Sequence, residues 1–140
     1  MILHLNFEEI RALRSGGRSL LGGEPYASSS VLAPPEERAL LQAFLPRLDG
    51  DISLSTLAEV RGALGAVHAI IEHLLAELRT AVLATHAADE VAVAAYFDYA
   101  HALVVGDRLE EMTGEMEAVI ELVTGARADA EVSRTFRFPD

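Results

Sequence analysis

The chain has no cysteine among its 140 residues, which excludes disulfides, thiol nucleophiles and thiolate-ligated zinc. It has no lysine either: all eleven basic residues are arginines. Set beside the abundant alanine, leucine, valine and glycine, that bias reads as the coding of a GC-rich genome rather than a demand for guanidinium chemistry. Positive charge is scarce, and the formal net charge of -11 is repelled by nucleic-acid backbones and anionic membranes, so neither is an expected partner. Long apolar runs are missing too. The most apolar stretch, Val91 to Gly106, is about 16 residues against the roughly 20 that span a bilayer, and it contains Asp98 and His101. No basic segment leads into an apolar run at Met1 to Asn6, and Glu8 and Glu9 follow at once, so a secretory signal is not expected. The chain reads as soluble and cytoplasmic.

Catalytic and nucleotide motifs are equally sparse. No Gly-x-Ser-x-Gly elbow accompanies the serines. Gly17 and Gly22 have the spacing of a phosphate-binding loop, but Gly23 and Glu24 stand where lysine and a hydroxyl residue are needed, and an acid there repels phosphate.

What the sequence does contain is helical patterning. Two long segments, about Thr56 to His86 and Asp89 to Thr124, are separated by little more than Ala87 and Ala88. At 1.5 Å per residue they run about 46 and 54 Å, whereas a compact chain of this length has a radius of gyration of about 14 Å. In the first, Leu57, Val60, Leu64, Val67, Ile71, Leu74, Leu78 and Ala81 keep a 3-4 spacing, the seam of an antiparallel bundle or coiled coil. A second strip, Gly62, Gly65, Ala66, Ala69, Ala76 and Ala84, is nearly free of side-chain bulk and lets another helix approach closely, unless it reflects only the alanine content. The charge is uneven: residues 1 to 50 carry six acids and five arginines, residues 51 to 140 sixteen acids and six arginines.

Shorter elements precede the hairpin. Asn6 and Glu9 form a capping-box pattern with Leu5 and Ile10 as the hydrophobic staple, and the helix is expected to stop at Gly16 and Gly17 after about Ser15. Its apolar side is Phe7, Ile10 and Leu13. Arg11, Arg14 and Arg18 line another side, with Glu110, Glu111, Glu115, Glu117 and Glu121 as the acidic counterpart, unless both are simply solvated faces. Residues 15 to 35 have the glycine, serine and proline content of a linker or arm. Pro35 suits the first turn of a helix through about Leu45, with Leu40, Leu41, Phe44 and Leu45 facing inward, and Pro46 with Asp49-Gly50-Asp51 ends it. Met1 to Leu5 and the alternating Val132 to Phe138 read as terminal strands, expected to pair with each other or with their symmetry copies. The fold class is therefore all-α: a long antiparallel hairpin plus two shorter N-terminal helices in one domain, with the bundle completed by dimerisation.

Chemistry-bearing residues are few. Arg61, His68, Glu72, Arg79 and His86 share one strip, a solvated and mutually paired face or, at His68 and Glu72, a pair of metal ligands one turn apart. In the second long helix Leu109, Met112, Met116, Val119, Ile120 and Val123 share one side. Traced back, that side passes through Val105, Ala102, His101, Asp98, Ala95, Ala94 and Val91. Either the helix turns near Gly106 and leaves Asp98 and His101 in solvent, or the two form a buried polar pair that must be hydrogen-bonded or hold a ligand. Carboxylate and imidazole facing a bundle interior are ingredients of a metal site, but a di-iron bundle needs repeated Glu-x-x-His elements that this chain lacks. The leading function is a small homodimeric interaction or scaffold protein, with another protein as a further possible partner and no cofactor implied. The alternative is a metal-dependent or hydrolytic bundle enzyme using Asp98 and His101 with His68 or Glu72.

Overall fold

The computed structural model describes residues 1–23, 26, 33–85 and 89–135, and the side chains among these except at 85 and 126–135. Helix α1 (Phe7–Leu20) starts where the capping box expects it. The Asn6 side chain accepts from the Glu9 amide at 2.8 Å, and the Glu9 carboxylate accepts from the Asn6 amide at 2.9 Å. Gly16 and Gly17 do not stop it. The helix runs on to Leu20, and Gly22 just past it, with a φ of 93°, allows a closing pair of bonds, Gly22 N–H to the Ser19 carbonyl and Gly23 N–H to the Arg18 carbonyl, the Schellman arrangement. The two earlier glycines serve packing instead. A Cβ at Gly16 would lie 2.7 Å from the Ile70 side chain, and one at Gly17 would lie 2.5 Å from that of Leu45.

Helix α2 (Pro35–Phe44) follows, with proline in its first turn, and runs into a 3-10 turn at Leu45–Arg47. Of its expected inward side, Leu41 and Phe44 are buried, Leu45 is partly buried and Leu40 is exposed. The expected terminal strand pairing is corrected. Strand β1 (Ile2–Leu3) pairs antiparallel with β2 (Ile52–Ser53), Ile2 opposite Ser53 and Leu3 opposite Ile52. Met1 and Leu54 exchange backbone bonds at 2.9 and 2.8 Å beside it. Residues 132–135 belong instead to the last helix, since extending an established helix costs little and a short alternation cannot overrule it. Residues 136–140 lie outside the described residues, as do 24, 25 and 27–32 of the expected linker.

The hairpin consists of α3 (Leu57–Thr85) and α4 (Glu90–Thr135). Arg61 meets Glu117 at 2.7 Å and His68 meets Glu110 at 3.1 Å. Seven residues forward on α3 thus match seven back on α4, the register of an antiparallel pair. Val60, Val67, Leu74 and Ala81 of the expected seam are buried, while Leu57, Leu64, Ile71 and Leu78 are half-buried. The buried stripe is wider than that seam because α3 is covered on several sides: Ala63, Ala66, Ile70, His73 and Glu77 are buried as well. Part of the small-residue strip is used by α2, with a Cβ at Gly65 placed 3.1 Å from Leu40.

Helix α4 runs unbroken through Gly106, and one face carries Ala92, Ala95, Asp98, Ala102, Val105 and Leu109 into the core. The core assignment of Val119, Ile120 and Val123 is corrected: they are 57%, 44% and 58% exposed. The cause is length. Glu117 already stands opposite Arg61, one turn inside the start of α3, so α4 passes that start near residue 121 and extends about 21 Å beyond it. Of the expected apolar side of α1, Leu13 is buried, with Ala12 beside it, whereas Phe7 is 77% exposed. Among the described residues no helix is long and apolar enough to cross a membrane.

Candidate functional site

Asp98 is on the core face, where the unrotated reading of α4 puts it, and is 2% exposed. Burying a carboxylate is costly unless its oxygens are satisfied, and both are. Oδ1 accepts from Arg11 Nη2 of α1 at 3.0 Å, and Oδ2 accepts from the Tyr26 hydroxyl. The Ser15 and Tyr26 hydroxyl oxygens are 2.6 Å apart. Burial, reinforced by the hydrogen bond to Asp98, pushes the Tyr26 phenol well above its ordinary range. The hydrogen bond to Glu8 raises the Arg11 guanidinium, and Asp98 adds to that against the opposing effect of burial.

Two further polar links tie α1 to the hairpin. Glu9, also 2% exposed, accepts from Arg108 Nη1 at 2.7 Å as well as capping the helix, and the same nitrogen reaches the His4 carbonyl at 3.0 Å. Deeper in, Ser19 Oγ lies 2.7 Å from His73 Nε2, and Glu77 Oε1 lies 3.7 Å from that same nitrogen. Burial lowers the His73 pKa, and Glu77 acts in the opposite sense. Serine, histidine and acid side by side suggest nucleophilic catalysis, but there the acid holds the ring nitrogen opposite the serine. Here serine and acid crowd one nitrogen in the interior, so the trio is a packing clamp.

His101, expected beside Asp98, is half-buried, while His68 and Glu72 are exposed. The expected coupling of the Arg11, Arg14 and Arg18 face to the glutamates of the second long helix is corrected. Arg11 engages Glu8 and Asp98, Arg14 approaches Asp49 at 4.0 Å, and Glu110 and Glu117 take His68 and Arg61. Since His68 is level with Glu110, it stands about 18 Å along the hairpin from Asp98, twelve residues away on α4. The structure does not bring those two together. Among the described residues no three histidine, aspartate or glutamate side chains are gathered so as to hold a metal ion.

The Ser19, His73 and Glu77 trio was within reach of sequence reasoning, because His73 and Glu77 continue the 3-4 run of Ala66 and Ile70. Arg11 and Tyr26 carried no such signal, being 87 and 72 residues from Asp98. The outer side of α1 bounds a concavity of about 860 Å³ whose lining includes Phe7, Ile10, Arg14, Arg18, Leu21 and Tyr26. The opposite feature is an apolar surface on α4, where Val93, Tyr96, Phe97, Leu103 and Val104 are between 36% and 56% exposed. Compared with known proteins, the chain matches no family model, no curated protein and no solved structure.

Proposed function

We propose that the protein is a small homo-oligomeric helical interaction or scaffold protein, in which a second copy of the chain covers the outer face of α4. The observation that carries this reading is the composition of that face. Val93, Tyr96, Ala100 and Leu103 keep the 3-4 spacing of a helix-helix seam, Phe97 and Val104 widen it, and at 100° per residue the strip lies roughly opposite the buried stripe. Tyr96 and Phe97 stand edge to face with ring centroids 6.0 Å apart, a large apolar area to leave in water. Between Val91 and Gly106 the one Asp, Glu, Lys or Arg is Asp98, which is buried. Two chains of net charge -11 repel each other through most of their surface, and a neutral strip is where that repulsion is weakest.

Light scattering coupled to gel filtration tests the proposal. The native protein should show at least twice the 15.1 kDa chain mass, and the double substitution Tyr96→Ser with Phe97→Ser should return a monomer of unchanged helicity, both side chains being more than half exposed. A native monomer at micromolar concentration refutes the assembly, and a double variant that keeps the native mass refutes this face.

A further inference from the structure

We infer that the concavity along the outer side of α1 binds an organic anion with an apolar body, its head group held by Arg14 and Arg18 and its body laid against Phe7, Ile10, Leu21 and the ring of Tyr26. Its volume, about 860 Å³, falls in the range of small-molecule sites, which combine apolar walls with a few polar anchors. A second concavity of about 360 Å³ is lined by Arg14, Arg18, Leu45 and Pro46, so these two guanidiniums stand between two recesses.

The three arginines of α1 are not equivalent. Arg11 is occupied by Glu8 at 3.1 Å and Asp98 at 3.0 Å. Arg14 has only a 4.0 Å approach to Asp49, whose side chain is 94% exposed. Arg18 has no carboxylate partner among the described residues. Like charges one helical turn apart disfavour each other, and Arg14 and Arg18 are so placed, in a protein with twice as many acids as bases. An anion between them removes that repulsion and meets two forked donors.

The neighbouring groups narrow the ligand class. The Tyr26 and Ser15 hydroxyls are committed to Asp98 and to each other, so hydrogen bonding to a head group falls to the guanidiniums. Asp98 is shielded from the recess by Arg11 and Tyr26 and anchors the tyrosine ring as part of the wall. Two available cations are too few for a nucleic-acid track. The exposed ring of Phe7 and the side chains of Ile10 and Leu21 offer nothing to a small inorganic anion, whereas an aryl or medium-chain carboxylate or sulfonate uses both halves of the site.

Fluorescence titration of the full chain with anilinonaphthalene sulfonate tests the inference. Binding should saturate at one equivalent per chain, decanoate should displace the probe, and inorganic phosphate at equal concentration should not. The double substitution Arg14→Gln with Arg18→Gln should weaken binding about tenfold. Phe7→Ser should weaken it as well, whereas Tyr96→Ser with Phe97→Ser should leave it unchanged, separating this site from the apolar face of α4. If the double arginine variant folds poorly, Arg18→Gln alone carries the test. Equal probe binding by native and arginine variants, or displacement by phosphate as effective as by decanoate, overturns the inference. A lower solution mass of the arginine variant also overturns it, by showing that a second copy occupies the recess.

Discussion

Replacing Gly16 or Gly114 by alanine makes the same chemical change inside two helices, and the structure gives the two substitutions opposite signs. In each case alanine gains about 1 kcal/mol of helix propensity over glycine. At Gly114 nothing lies within 4 Å of the added Cβ, so that gain should appear almost whole. At Gly16 the new carbon would sit 2.7 Å from Ile70 Cγ2 and 3.1 Å from Leu74 Cδ1. Ile70 is fully buried and β-branched, so it cannot swing aside without disturbing the packing of α1 on α3. Overpacking of this kind costs about 1 to 3 kcal/mol, leaving a net loss of up to about 2 kcal/mol and a gap between the variants of about 1 to 3 kcal/mol. Urea denaturation followed by circular dichroism measures both, because a shift in midpoint at constant slope reports stability alone. If Gly16→Ala is stabilised as much as Gly114→Ala, α1 does not cross α3 at this glycine and the packing described above is wrong.

The pKa of His73 is depressed by burial, so the unfolded chain takes up its proton more readily than the folded one. Its contribution is complete above the ordinary histidine value of about 6.5 and is lost as pH falls from there through the folded value; urea midpoints across that range should fall more steeply for the native protein than for His73→Gln, and parallel curves would remove the histidine from the account. Asp98→Ala should cost about 1 to 3 kcal/mol by thermal melt, at the lower end because Arg11 is half exposed and Ser15 can still accept from Tyr26; a change below about 0.5 kcal/mol would mean that the buried cluster does not form. Elemental analysis of the native protein should find no stoichiometric zinc, iron or manganese, and one equivalent that disappears in both Asp98→Asn and His101→Ala would bring the enzyme reading forward.

Several features were legible from the chain itself because they are recorded within a few neighbouring residues. The Asn6 and Glu9 capping box, the proline start of α2, the near-complete extent of α3 and the inward side of α4 at Asp98 all follow from caps and a 3.6-residue period, which backbone geometry imposes whatever surrounds the helix. Contacts between distant segments followed different rules. Gly16 and Gly17 looked like a stop because glycine favours helix ends, and only the close approach of Ile70, Leu74 and Leu45 makes them packing positions. β1 found its partner at Ile52 and Ser53, since a two-residue strand carries no mark of what it pairs with. Val119, Ile120 and Val123 have the spacing of a core stripe, but a stripe is buried only where another helix stands beside it, and these three lie at and beyond the first turn of α3. Asp98 illustrates both halves: periodicity directs it inward, while Arg11 and Tyr26, the groups that make its burial tolerable, are brought to it only when α1, and Tyr26 six residues past its end, dock against the hairpin.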